Sequence, residues 1–206
     1  VALDQTRARF AQAAARDGVA LGSESFDWLS EQGHVGLERV AKARRDPGLV
    51  APVTAALAVL AEICARLRGD VSVLDAARAN LLLAIDLVHA PTGTIVEVDG
   101  PEHFTSFRLT ALELYPGDAV LGFDPAEHRQ LCRTWQQSSD RLARGLAAKA
   151  FGMGGVQRER AYRDSLIDLA TPAMGGPAVI RVAAVDGDGE AAYQRHRESL
   201  LSLARA

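Results

Sequence analysis

AIDLVHAPTGTIVEVDGPEHF, residues 84–104, sets two apolar runs around a Pro91-Thr92-Gly93 turn. The pattern predicts a β-hairpin, with strands over Leu81–Val88 and Thr94–Asp99. It decides the fold, because a hairpin at mid-chain with helical stretches on both sides demands a sheet covered by helices. It also carries three acids: Asp86 in the first run, Glu97 and Asp99 in the second. A strand that buries a face ordinarily keeps carboxylates out of its middle, so their presence needs a physical reason.

Side chains alternate along a strand. Glu97 and Asp99 therefore share one face, and Val96 and Val98 the other. The short turn brings Asp86 opposite the Glu97 region. Three carboxylates in one patch repel and raise one another's pKa, so a cation is expected among them. Oxygen ligands favour a hard ion, Mg²⁺ or Mn²⁺. Such an ion stabilises developing charge and acidifies a bound water, which is the chemistry of phosphodiester hydrolysis. Each acid also has a structural alternative. Asp86 at a strand end can accept from backbone donors, Glu97 can pair with an arginine, and Asp99 can cap the Asp99-Gly100-Pro101 turn. His103 is a candidate general acid/base, or a turn histidine bonded to a carboxylate. Arg108 can contact phosphate or neutralise Glu97.

Outward from the hairpin, residues 1–48 read as a helical appendage and 49–206 as an α/β unit with a C-terminal extension over 151–206. Helices are expected over 1–17, within 23–34, and over 37–45 and 51–68, with Asp46-Pro47-Gly48 as a break. Phe104–Tyr115 reads as helix and Ala119–Phe123 as a short buried strand. Asp124 and Pro125 supply an N-cap and first helical residue for a long helix running toward Ala150. A helix over 157–171, a strand over 178–185 and a C-terminal helix complete the order.

The chain of 206 residues carries a formal charge of −3, but unevenly. Residues 129–163 hold eight basic side chains, among them Arg129, Arg133, Arg141, Arg144 and Lys149, against two acids. This segment is +6 and the remainder −9. Such asymmetry fits a surface that faces DNA or RNA, or two solvated helix faces. The two cysteines, Cys64 and Cys132, form no paired spacing, which fits a reducing, cytoplasmic setting. No apolar run reaches the ~20 residues of a membrane span, and the first residues lack the apolar stretch of a signal peptide; no membrane partner is expected.

The string IVEVDGPEHF, residues 95–104, resembles the E-x-D-G-P-x-H-F signature of RAP domains and the ExDG segment of very-short-patch-repair-like endonucleases. Asp86 followed by Glu97-Val98-Asp99 resembles the D-xn-E-x-K signature of the PD-(D/E)XK superfamily, with Asp99 in the lysine position. The resemblance spans about residues 51–150. It implies a restriction-endonuclease-like core, a mixed central sheet flanked by helices, with Val71–Leu74 as a possible further strand. It implies a metal-dependent nuclease acting on DNA or RNA, or a catalytically silent nucleic-acid-binding or protein-interaction module on the same fold. Asp86 and Glu97 would be metal ligands and Asp99 a third ligand or an organiser of water. His103 or Arg108 would replace the lysine, and Glu62 would be an additional acid. Many such nucleases dimerise, so a homodimer is possible.

Overall fold

The computed structural model describes residues 2–205. Among these described residues, eight α-helices and three strands follow one another as α1 (Ala2–Arg16), α2 (Gly33–Arg44), α3 (Pro47–Arg66), α4 (Val71–Asp75), β1 (Leu87–His89), β2 (Thr94–Asp99), α5 (Ser106–Leu112), α6 (Pro125–Leu142), α7 (Val156–Ala173), β3 (Ile180–Ala183) and α8 (Gly189–Leu203). A 3-10 turn, Pro101–His103, joins β2 to α5. The sheet order is β1-β2-β3, antiparallel in the hairpin and parallel between β2 and β3. The expected α/β class and mixed sheet are thus present, with helices at both ends of the chain.

The hairpin turns where expected: Gly93, at φ +68°, donates to the His89 carbonyl. Val96 and Val98 face a core shared with Val182, Phe10 of α1 and Tyr193 of α8. Ile95 and Val88 face a larger core built with α3, α5 and α7. The sheet is therefore the middle layer of three, and Glu97 and Asp99 lie on the side of the larger core. Helices α1 and α8 pack closely because Gly189 has no Cβ; one placed there would lie 2.0 Å from the Thr6 carbonyl oxygen. Before residue 48 the chain forms the helices α1 and α2, and α1 closes the second face of the sheet.

Several local expectations change. Of the expected strand Leu81–Val88, Leu87 and Val88 belong to β1 and pair with β2, Leu82 makes an isolated bridge to Ser30, and the chain bends at Asp86 between them. Residues 119–123 form no strand; β3 takes the place beside β2. Val71–Leu74 is the short helix α4, capped by Asp70. Asp46 starts a helix instead of ending one: it accepts from the Gly48 amide, with Pro47 in the first turn. That added turn makes α3 twenty residues long, and among the described residues it is the one helix long and apolar enough to cross a membrane. Residues 23–32, expected as a capped helix, are turns and an isolated bridge from Ser30 to Leu82. Helix α6 stops at Leu142, eight residues short of the expected end, and glycine-punctuated turns follow.

Candidate functional site

The three hairpin acids do converge. Asp86 and Glu97 clasp one another's backbone. Glu97 Oε1 accepts from the Asp86 amide at 3.0 Å, and Asp86 Oδ2 accepts from the Val98 amide at 2.9 Å. Arg7 of α1 closes over Asp86 with an ion pair of 2.8 Å. Burial and the neighbouring Asp86 push Glu97 up to about 8, so at neutral pH it carries a proton. Burial also raises Asp86, and Arg7 works against that rise.

Asp99, on the same face as Glu97, reaches toward β3 and α7. Its Oδ1 accepts from Arg181 Nη1 of β3 at 2.7 Å. Arg181 is fully enclosed: Nε donates to Asp168 Oδ1 at 2.7 Å, and Nη2 donates to the Asp164 carbonyl at 3.1 Å. Asp168 Oδ2 in turn accepts from Arg108 Nη2 at 2.6 Å and from the Tyr115 hydroxyl at 2.8 Å. Arg108 also donates to Ser165 Oγ. His103 Nδ1 lies 3.0 Å from Asp164 Oδ2 and 3.4 Å from Asp99 Oδ1. Burial opposes its charge, but Asp164 and Asp99 outweigh burial and raise it to about 9. Burial likewise opposes ionisation of Asp164 and Asp168, yet His103 and Arg181 beside Asp164, and Arg181 and Arg108 beside Asp168, hold both below the usual carboxylate range.

With Glu97 protonated and His103 charged, Asp99, Asp164 and Asp168 face Arg108, Arg181 and His103. Three negative charges meet three positive ones inside a core, which is what burial of charge demands. Among the described residues, three atoms in the cluster are buried without a hydrogen-bond partner: Arg108 Nε, Asp99 Oδ2 and His128 Nε2, the last two 3.7 Å apart. Burial, and then Arg108, depress His128 to about 4, so it stays neutral beside Asp99.

Each of the three hairpin acids already has a partner. Asp86 is met by Arg7, Asp99 by Arg181, and Glu97 holds a proton and a backbone amide. Among the described residues no group of three or more His, Cys, Asp or Glu side chains is placed to hold a metal ion. His103 faces Asp99 and Asp164 as a charged partner. Arg108 is buried against Asp168, not Glu97. Glu62 is exposed on α3, with Arg66 at 3.8 Å as its partner.

The basic segment divides in two. Arg129 donates from Nε and Nη2 to the Leu112 carbonyl and ties α6 to α5. Arg158 donates to the Phe151 and Met153 carbonyls and holds that loop. Arg133, Arg141, Arg144 and Lys149 are exposed, and no salt bridge engages them among the described residues. The residues that sequence reasoning missed are Arg181, Asp164 and Asp168. Their signals were present: an arginine inside the apolar run AVIRVAAV, 178–185, and two acids four apart on the buried side of the helix YRDSLIDLA, 162–170.

Neither a protein-family model, nor a curated protein, nor a solved structure matches this chain.

Proposed function

We propose that this chain is a nucleic-acid-binding module built on a restriction-endonuclease-like α/β plan, whose acidic centre holds the fold together and does not hydrolyse phosphodiesters. The observation that carries this reading is Arg181. Its guanidinium occupies the position among Asp99, Asp164 and Asp168 that a catalytic cation would need, at 2.7 Å from two of them. A buried guanidinium that donates one bond to each of two carboxylates and a third to a carbonyl is not exchanged for a hydrated ion without disturbing its surroundings. The ligand class follows from the exposed cations Arg133, Arg141, Arg144 and Lys149, on a chain whose other residues are net acidic. Their charge is available to phosphate, because among the described residues no carboxylate pairs with it.

Fluorescence anisotropy with labelled single-stranded RNA, single-stranded DNA and duplex DNA tests this. Salt-sensitive binding weakened by Arg141→Glu and Arg144→Glu supports the module. No binding to any of the three at low salt would overturn it.

A second reading, a metal-dependent nuclease, draws on one observation: Asp86 and Glu97 are joined by hydrogen bonds at the mouth of the hairpin, with Asp99 two residues on. It requires Arg7 to leave Asp86 and Glu97 to lose its proton. Divalent-ion-dependent cleavage that disappears in Glu97→Ala would establish it in place of the first.

A further inference from the structure

The sheet stops at β3, and the far edge of β3 is open. The Ala184 amide donates to the Asp99 carbonyl, and Arg181 stands opposite Glu97 in the parallel register. That register turns the amide and carbonyl of Val182 toward β2, and those of Arg181 and Ala183 away from it. Arg195 Nη2 of α8 confirms the direction, donating to the Ala183 carbonyl at 3.0 Å from outside the sheet. Among the described residues, the Arg181 amide, the Arg181 carbonyl and the Ala183 amide have no hydrogen-bond partner. Yet Arg181 is only 3% exposed. Buried backbone groups are ordinarily paired, so this edge is a ladder short of its next strand. A groove of about 220 Å³ lies along it, lined by Arg181 and Ala183. Phe123, Glu127, His128 and Leu131 form one wall, and His196 of α8 the other. The run 119–123 passes only the start of the edge, where a Cβ on Gly122 would lie 2.6 Å from the Val179 carbonyl oxygen, and then turns into α6.

We propose that this groove takes an extended segment of a partner protein, added to β3 as a fourth strand. Main-chain bonds supply the affinity in such an addition, and the walls choose the side chains. An unpaired amide, carbonyl and amide over three residues are the complement of another strand. The phosphates of a nucleic acid could accept from the two amides, but they have nothing to donate to the Arg181 carbonyl. Charge on the rim points the same way. Asp124 and Glu127 are exposed and hold no salt bridge among the described residues. Arg195, at the far end, is already spent on the Ala183 carbonyl and on Asp186 at 3.6 Å. The occupant therefore carries lysine or arginine to meet the two acids, beside apolar residues that meet Phe123 and Leu131.

Fluorescence anisotropy and amide hydrogen exchange with a short labelled peptide alternating lysine and valine test the proposal, and neither depends on nucleic-acid binding. The expected result is saturable binding that slows exchange of the Arg181 and Ala183 amides. Ala183→Pro removes one outward amide and leaves the ladder to β2 intact; it should weaken binding about tenfold. Glu127→Arg, at an exposed position, should weaken it by about as much. The same peptide N-methylated at alternate residues should not bind, because it lacks the donors a strand needs. Unchanged far-ultraviolet circular dichroism confirms that both variants fold. No binding of the peptide, binding untouched by both substitutions, or binding without protection of the two amides would overturn the proposal. So would a single-stranded RNA that protects the same two amides.

Discussion

Arg181 sits directly across the parallel ladder from Glu97, yet its guanidinium bonds to Asp99, two residues further along β2. The diagonal choice follows from protonation. Glu97 is turned toward the Asp86 amide and carries a proton, so it offers Arg181 little charge. Asp99 is a carboxylate at the strand end, where Asp164 and Asp168 of α7 also reach the guanidinium. The sheet and α7 are joined through this one side chain, and the 3-10 turn is joined to both through His103.

Removing that side chain strands three acids. Arg181→Met keeps length and apolar bulk but leaves Asp99, Asp164 and Asp168 short of a positive charge in the core. The expected loss is about 3–5 kcal/mol of unfolding free energy, read by urea denaturation. The exposed Arg133→Met, by contrast, should change stability by less than about 0.5 kcal/mol. Equal effects of the two would remove the cluster from its structural role.

The pH dependence has a worked direction. Glu97 rises on folding from 4.5 to about 8, so its contribution to stability is complete below pH 4.5 and is lost as pH climbs toward 8. His103, raised from 6.5 to about 9, adds a loss in the same direction between those values. His128, lowered from 6.5 to about 4, acts oppositely, its contribution fading as pH falls from 6.5 toward 4. Asp164 and Asp168, both depressed, give up theirs below their ordinary value of 3.8. Stability should therefore be greatest between about pH 4.5 and 6.5, where the Glu97 and His128 slopes offset each other. Glu97→Gln, an isostere of the protonated form, should make stability rise between about pH 4.5 and 6.5 and should flatten the decline between about 6.5 and 8. Thermal unfolding across that range checks it; a variant with the wild-type slope would show that Glu97 is ionised in the folded protein.

The exposed cations predict a salt signature. If Arg141 and Arg144 each neutralise one phosphate of duplex DNA, the slope of log affinity against log salt should fall by ~0.9 for each one replaced by alanine. The anchored Arg129 should leave that slope unchanged. Anisotropy titrations at several salt concentrations give the slopes.

Much of this architecture was legible in the sequence where the signal is local. Thr94–Asp99 alternates and ends at Gly100-Pro101, and the strand has those bounds. Asp124 with Pro125 marks the start of α6, and Asp124 accepts from the Ala126 amide as an N-cap should. The convergence of Asp86 with Glu97 also follows from a short turn. What answers those acids was not legible, because it comes from far away in the chain: Arg7 is 79 residues before Asp86, and Arg181 is 82 after Asp99. Local pattern shows that charge needs compensation; tertiary packing decides whether an ion, a proton or an arginine supplies it. The 119–123 run failed as a strand for a similar reason. It is apolar enough, but β3 already occupies the free edge of β2.

Isothermal titration of Mg²⁺ and Mn²⁺ into metal-free protein, run beside Asp86→Ala and Glu97→Ala, tests most directly the claim that the protein supplies its own cations to the acidic centre. The account predicts no saturable heat in the wild type. Stoichiometric binding in the wild type that both substitutions abolish would contradict it and return the hairpin acids to the role of metal ligands.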